Sequence, residues 1–173
     1  MKIRMSLLGA AAVVAAGLGV TAVAMAAVTP IPPSEYTACP TGAGLALQGD
    51  GADDTINGTG DRDLLKGGGG NDTITGAGAA DCLFGQGAND KVKGDAGDDQ
   101  VKGGGGDDKL IGGDDADKIN CGNGADTMKG GSGDDTLKGG KGKDKFNCGS
   151  GQDKAVGQKK DKFDNNCEKV KFQ

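Results

Sequence analysis

The feature that most constrains this chain is a nine-residue repeat that runs without an insertion over residues 49–156. Twelve consecutive frames fill this stretch, and position eight of every frame is apolar. Position one is Gly in ten frames and Cys in the other two, at Cys121 and Cys148. A repeat of this regularity predicts a solenoid in which every frame adopts the same local structure. Position six is Asp in all twelve frames: Asp54, Asp63, Asp72, Asp81, Asp90, Asp99, Asp108, Asp117, Asp126, Asp135, Asp144 and Asp153.

Each frame divides into a turn and a short strand. The first six residues are rich in Gly and end in Asp, a composition that favours tight turns with positive φ angles. The last three predict a strand whose central side chain points inward while its neighbours point outward. One inward apolar side chain per frame is buried only if successive strands stack. With two frames per coil, the strands form two facing parallel sheets. We therefore predict an all-β fold, a parallel β-roll (β-solenoid) of about six coils, roughly 29 Å long.

The alternation of frames assigns the inward residues to the two sheets. The odd-numbered frames contribute Ile56, Ile74, Val92, Leu110, Met128 and Phe146 to one sheet. The even-numbered frames contribute Leu65, Leu83, Val101, Ile119, Leu137 and Ala155 to the other.

The composition excludes several classes of function. The 173 residues include 36 Gly, four Phe, one Tyr, no Trp and no His. Without His, the chain has no Ser-His-Asp triad, no Cys-His pair and no His-ligated zinc or iron site. A net charge of −5 argues against nucleic acid as a partner. We therefore expect a protein that is not an enzyme.

The repeat resembles the GGxGxDxUx nonapeptide of the repeats-in-toxin, or haemolysin-type, calcium-binding proteins, where U is apolar. Four frames match every defined position: GGGGNDTIT, GGGGDDKLI, GGSGDDTLK and GGKGKDKFN. The resemblance covers residues 49–156 and implies a parallel β-roll that holds several Ca²⁺ ions in its turns. It also implies that the twelve position-six Asp residues and main-chain carbonyls of flanking frames are the ligands.

The residues themselves favour the same ion. The repeat contains 21 Asp against 13 basic residues, so stacking the frames brings carboxylates together. Carboxylate and carbonyl oxygens suit Ca²⁺ better than Mg²⁺, which demands a regular octahedral shell. A cation that removes the repulsion makes its binding energy part of the folding energy, so we expect the metal-free chain to be largely disordered. Turns without Gly at position four are expected to be weaker or distorted, namely those with Ala52, Asp61, Ala79, Ala88 and Asp115.

The ends of the chain predict a secreted protein with a capped solenoid. Residues 1–26 have Lys2 and Arg4 before an uncharged stretch and end in Ala24-Met25-Ala26, the pattern of a signal peptide. The alternative is a retained membrane anchor. Residues 27–48 would form a leader and an N-terminal cap, with Leu47 in the inward position. Residues 157–173 would cap the last coil, or form a disordered basic tail.

The five cysteines then lie in an oxidising compartment. Cys148 opens the last frame and Cys167 lies in the C-terminal cap, which favours a Cys148–Cys167 disulfide. Cys82 and Cys121 are about two coils apart on the lattice, beyond disulfide reach. Cys39 reaches the solenoid only if the leader folds over it.

We therefore expect a secreted, extracellular and non-catalytic calcium-binding β-roll that folds on binding Ca²⁺ in its GGxGxD turns. The alternatives are a calcium-stabilised surface-binding or adhesion scaffold, and an accessory module of a secreted enzyme or toxin that lacks the effector domain. The expected partners are calcium ions and an unidentified cell-envelope or polysaccharide component, with no nucleic acid and no membrane after signal cleavage.

Overall fold

A computed structural model describes residues 29–30 and 44–173, and its secondary structure is entirely β. The predicted signal peptide and most of the leader lie outside the described residues. The strands in chain order are β1 (Thr29–Pro30), β2 (Ala46–Gln48), β3 (Thr55–Asn57), β4 (Leu64–Gly68), β5 (Thr73–Ala77), β6 (Cys82–Gly87), β7 (Lys91–Ala96), β8 (Gln100–Gly105), β9 (Lys109–Asp114), β10 (Lys118–Asn123), β11 (Thr127–Ser132), β12 (Thr136–Lys141), β13 (Lys145–Ser150), β14 (Lys154–Gly157), β15 (Lys162–Phe163) and β16 (Lys169–Phe172).

The strands form two sheets that alternate along the chain, as the repeat predicts. A nine-stranded sheet has the order β1-β2-β4-β6-β8-β10-β12-β14-β16, and a seven-stranded sheet has the order β15-β13-β11-β9-β7-β5-β3. All pairings are parallel except that of β1 with β2. The register places each inward residue beside the residue one coil away, as in Val92 beside Leu110. The predicted parallel β-roll is confirmed.

The strands are longer than the three residues that the sequence predicts. From β6 to β13 each strand has six residues and continues through positions one to three of the next frame. The glycines of these positions pair across the sheet, as Gly104 does with Gly122. The turn proper is therefore confined to positions four to six. Glycine does not prevent this pairing because the ladder uses backbone groups alone.

The core is a single file of apolar side chains between the two sheets. All twelve position-eight residues are buried, with at most 2% of their surface exposed. Cys121 and Cys148, the two residues that replace Gly at position one, extend this cluster. A second, smaller cluster lies on the outer side of the nine-stranded sheet, where Leu64 and Cys82 are buried and Ala46 and Phe84 pack against them.

Both ends of the roll continue the lattice with modified frames. At the N-terminal end, β2 pairs with β4 and places Leu47 beside Leu65. At the C-terminal end, residues 157–164 form a frame shortened by one residue. Its strand β15 pairs with β13 and brings Phe163 onto Phe146, with ring centroids 4.3 Å apart. Strand β16 then pairs with β14, so the structure has about one coil more than the twelve full frames provide.

The C-terminal frames are fastened to the roll by a disulfide. Cys148 and Cys167 are bonded, which confirms the predicted pairing. Cys82 is also disulfide-bonded, whereas Cys121 is a free, buried thiol. Within residues 44–173, no helix is present that is long and apolar enough to cross a membrane.

The core makes a direct prediction about stability. Leu110 is fully buried in β9, in the middle of the stack, so Leu110→Ala should cost about 2–5 kcal/mol of unfolding free energy. The neighbouring Lys109 is exposed, and Lys109→Ala should change stability by about 0.5 kcal/mol or less. Denaturant unfolding in saturating calcium measures both variants. Equal losses of unfolding free energy in the two variants would contradict the burial of Leu110 in the core.

Candidate calcium-binding turns

The turns share one backbone conformation from the third frame onward. Positions two and four both have positive φ in each of the ten frames from Gly67 to Val156. Gly occupies many of these positions, but Ala77, Gln86 and Asp95 adopt positive φ at position two, at 89°, 86° and 81°. At position four, Ala79, Ala88 and Asp115 do the same. Positive φ at a residue with a Cβ costs about 1–2 kcal/mol. Ala52 and Asp61, the other two residues that replace Gly at position four, do not have positive φ.

The position-six Asp residues form two buried columns, one along each edge of the roll. In the ten Asp residues from Asp72 to Asp153, Oδ1 accepts a hydrogen bond from the backbone N–H of the Asp one coil earlier, as in Asp90 N–H to Asp108 Oδ1 at 2.8 Å and Asp117 N–H to Asp135 Oδ1 at 2.9 Å. In the first coil, Asp63 Oδ1 accepts from Leu45 N–H instead, and Asp54 Oδ1 is buried without a donor. The Asp carbonyl accepts from the first strand residue of the next coil, as Asp90 O does from Lys109 N–H at 2.8 Å. All twelve carboxylates are buried, with at most 4% exposed. The sequence placed these residues in the turns but did not reveal this ladder.

The second carboxylate oxygen has no partner in most of these residues. In the ten Asp residues from the third frame to the twelfth, Oδ2 is buried and accepts no hydrogen bond: Asp72, Asp81, Asp90, Asp99, Asp108, Asp117, Asp126, Asp135, Asp144 and Asp153. A buried carboxylate oxygen without a donor is unfavourable unless a cation or another polar group compensates it. These oxygens lie beside position one of their own frame, where a Cβ at Gly67 or Gly112 would collide with Oδ2 of Asp72 or Asp117.

The first two frames are different. Asp54 Oδ2 accepts a hydrogen bond from Asp50 N–H at 3.0 Å, and Asp63 Oδ2 accepts one from Thr59 N–H at 2.5 Å. Positions two and four of these frames do not have positive φ. The ten frames with the shared turn conformation are thus the same ten frames in which Oδ2 lacks a partner. The repeated conformation and the unpartnered oxygen occur together.

Position five supplies a second, exposed ladder. Asn71 N–H donates to Asp53 Oδ1 at 2.7 Å, Asn89 N–H to Asn71 Oδ1 at 3.1 Å, and Asp107 N–H to Asn89 Oδ1 at 2.6 Å. Along the other edge, Ala116 N–H donates to Asp98 Oδ1. In sequence, the Asp doublets suggest only added repulsion. In the fold, their first member satisfies a turn N–H group, as side chains of Asp and Asn often do.

Burial raises the pKa of nine position-six carboxyl groups, those from Asp72 to Asp144. Desolvation is the largest cause and neighbouring Asp residues add to it, while the hydrogen bond from the preceding coil opposes it. The pKa of Asp117 is raised to about 8, and those of Asp81 and Asp90 are raised to about 7. The same causes raise the pKa to about 6 in Asp99, Asp126 and Asp135. The metal-free turns therefore disfavour the negative charge that position six carries.

Side chains alone do not complete a metal site in these turns. Within the part of the chain that the structure describes, no three His, Cys, Asp or Glu side chains converge on one point. An ion bound at Oδ2 would therefore take its remaining ligands from backbone carbonyls and water. Ca²⁺ accepts such mixed oxygen shells of six to eight ligands.

The repeats match the profile of the RTX calcium-binding nonapeptide repeat (HemolysinCabind, four copies) over residues 48–83, 84–119 and 122–155. These segments make up more than half of the chain. The chain belongs to this family. No curated protein and no solved structure shows a significant similarity to it. Membership supports Ca²⁺ as the ion of the RTX turns, and the unpartnered Oδ2 atoms fit that ion.

Two further frames of the RTX roll escaped the sequence reasoning. Asp161 Oδ1 accepts from Asp144 N–H at 3.1 Å, and its Oδ2 accepts from Gln158 N–H at 2.5 Å. It therefore extends the Asp column beyond the twelfth frame, although its Oδ2 has a donor. Glu168 precedes β16 at the equivalent place in the last frame. The signal was present as the Asp-Lys-Phe sequence at 161–163, but a one-residue deletion shifts it out of the nine-residue register.

The raised pKa values predict a pH dependence of the metal-free RTX roll. A folded pKa of about 6–8, above the unfolded value near 3.8, means that protonation stabilises the fold at low pH. This stabilisation is complete below about pH 4 and is lost as the pH rises through about 6–8. Far-ultraviolet circular dichroism in metal-free buffer should therefore show more β structure at pH 4.5 than at pH 8. With saturating Ca²⁺ the β signal should persist at pH 8. A metal-free signal that is independent of pH would contradict the assignment.

Proposed function

We propose that this protein is a secreted, non-catalytic calcium-binding roll that completes its folding when Ca²⁺ enters its turns. The observation that carries the proposal is that two structural features occur in the same ten frames. Ten frames share positive φ at positions two and four, and the same ten each bury an Oδ2 atom without a donor. A divalent cation supplies a partner for the oxygen, and its binding energy also offsets the cost of ordering the turn.

The proposed ligands are the position-six carboxylates of these ten frames, from Asp72 to Asp153. Asp54 and Asp63, the other two sequence candidates, have their Oδ2 atoms hydrogen-bonded within their own frames. We expect them to contribute to the fold of the first coil rather than to strong ion binding. Extracellular calcium modules typically have Kd values of about 10⁻⁴–10⁻³ M, which suits a protein that folds after export.

Secretion is supported by the cysteines as well as by the N-terminal pattern. The Cys148–Cys167 disulfide and the disulfide of Cys82 are bonds that persist in oxidising compartments. A non-catalytic role is supported by the absence of His from the chain and by the repeat itself, which covers most of the described residues.

If export removes the signal peptide, mass spectrometry of the protein from culture medium should find an N-terminus at Ala27. Recovery only of the full-length chain in the membrane fraction would favour a retained anchor.

The ligand assignment is tested by one isosteric substitution and its matched control. Asp117→Asn keeps an Oδ1 that can accept the hydrogen bond from Asp99 N–H. It replaces the unpartnered Oδ2 with a neutral amide nitrogen, which cannot bind a cation. It should lower the calcium stoichiometry measured by calorimetry and weaken the calcium dependence of folding. It should also leave the metal-free chain as stable as before or more stable, because the neutral amide avoids the desolvation of a charge.

Asp63→Asn is the matched control, since Asp63 occupies the same column but has its Oδ2 bonded to Thr59. It should leave the calcium stoichiometry unchanged. Circular dichroism of the parent chain should show a largely disordered state in chelator and a β-rich state in calcium. Equal loss of ions in both variants would contradict the ligand assignment. A cooperative β fold in chelator at neutral pH would contradict coupled folding.

A further inference from the structure

The nine-stranded sheet has a charge pattern that calcium binding does not explain. None of its strands contains an acidic residue. Its C-terminal half, from β8 to β16, carries seven exposed lysines, one of which, Lys141, ends β12. The other six occupy outward positions seven and nine of their frames, and we call them the basic face: Lys102, Lys118, Lys138, Lys154, Lys169 and Lys171. Among the described residues, no acidic group forms an ion pair with any of the six.

The lysines of the basic face follow the axis of the roll in a regular zigzag. Strands β8, β10, β12 and β14 each contribute one lysine, alternately from the ninth and the seventh position of the frame. Strand β16 contributes two. With strands about 4.8 Å apart, the face extends about 19 Å and offers one positive charge at each step. This step is close to the length of one sugar unit in an extended polysaccharide.

The arrangement opposes stability in the isolated protein. Lys154 and Lys169 are direct neighbours in adjacent parallel strands, and like charges in that position destabilise a sheet. A face that served only solubility would place acidic residues among the lysines. The seven-stranded sheet also pairs lysines, Lys91 with Lys109 and Lys145 with Lys162, but its strands include acidic residues. Asp95 forms an ion pair with Lys93, and Asp114 ends the next strand of that sheet.

We infer that the basic face binds an acidic polysaccharide, a linear sugar polymer with carboxylate or sulfate groups at regular intervals. The polymer would run along the roll axis. A polymer charged on every sugar would place an anionic group beside each lysine, and one charged on every second sugar would place an anionic group beside every second lysine. The inference rests on the proposed function in one respect, since the lysines are aligned only in the folded, calcium-loaded protein. Calcium in the turns also neutralises the acidic edges on both sides of the face, which would otherwise repel a polyanion.

A thin polysaccharide fits this face better than nucleic acid. All six basic groups are lysines, which act as point charges, whereas bidentate phosphate recognition favours arginine. Phe84 of β6, which pairs with Lys102, is the one aromatic ring at the outward positions of β6 to β14, so bases would find one stacking position rather than a series. Phe172 of β16 packs edge-on against Phe163. The face is also a flat strip between two acidic edges, and a wide duplex would approach those edges.

The test compares two variants that remove the same charge. The face variant K118Q/K138Q/K154Q/K169Q neutralises the basic face, and the control K91Q/K109Q/K129Q/K145Q neutralises four exposed lysines of the seven-stranded sheet. Binding of the calcium-loaded full chain to immobilised dextran sulfate and to hyaluronan is measured in about 0.1 M salt, where charges are screened within about 10 Å. Uncharged dextran is the blank, and a DNA duplex tests for nucleic acid.

The wild-type chain should bind at least one of the two acidic polymers and not dextran, with an affinity that falls as salt rises. The face variant should lose about tenfold or more in affinity, while the control should stay within about twofold of the wild type. Dextran sulfate binding without hyaluronan binding would identify a sulfated ligand, and the reverse a carboxylated one. If the quadruple variants do not fold, K118Q/K154Q and K109Q/K145Q provide the same comparison.

Several outcomes would overturn the inference. These are equal losses in both variants, no binding to either acidic polymer, binding to dextran, or tighter binding to DNA through the same lysines. Circular dichroism in the same buffer separates this inference from the proposed function. A chain that stays unfolded in calcium contradicts the proposed calcium-dependent folding. A folded chain that does not bind the acidic polymers contradicts only the proposed binding by the basic face.

Discussion

The fold depends on one interaction, the hydrogen bond from the backbone N–H of a position-six Asp to the carboxylate of the Asp one coil later. It connects every coil to the next along both edges, as between Asp81 and Asp99 at 2.8 Å. The core cannot provide that connection alone, because each nine-residue frame buries only one or two apolar side chains. The interaction requires a buried carboxylate, and a buried carboxylate has a second oxygen. Where no donor reaches that oxygen, the same residue that joins the coils also creates the demand for a cation.

Much of this architecture could be predicted from the sequence, because the local structure predicted for one frame of a repeat applies to all its frames. The alternation of Ile74 and Leu83 between two parallel sheets, the inward direction of position eight and the Cys148–Cys167 bond all follow from register and spacing. The length of the strands did not follow, since glycine at positions one to three favours turns by composition but pairs readily in a parallel ladder. The C-terminal frames were missed because a one-residue deletion before Asp161 interrupts the period while the pairing of β15 continues.

The site was predictable in identity but not in detail. The sequence marks Asp54 and Asp117 as equivalent, and only the turn conformation separates them. Asp54 Oδ2 accepts a hydrogen bond from Asp50 N–H and the oxygen without a donor is its Oδ1, whereas in Asp117 the oxygen without a donor is Oδ2. The difference arises from the backbone dihedral angles at positions two and four. The residue types at these positions do not predict the angles. Ala77 and Ala79 adopt positive φ, while Ala52, also at position four, does not.

These differences divide the roll into parts with distinct sources of stability. The first coil is held by hydrogen bonds within its own frames. The last is held by the Cys148–Cys167 disulfide and by the stacked rings of Phe146 and Phe163. The frames whose Oδ2 atoms lack a partner begin after the first coil and extend to Asp153, in the disulfide-bonded end. In a solenoid each coil contacts only its neighbours, so stability is a sum of local terms and interface terms. Ends that hold without an ion supply the interface on which the next coil forms, and each bound ion then completes one further turn. We therefore expect calcium to act on the coils that follow the first one, from Asp72 to Asp153.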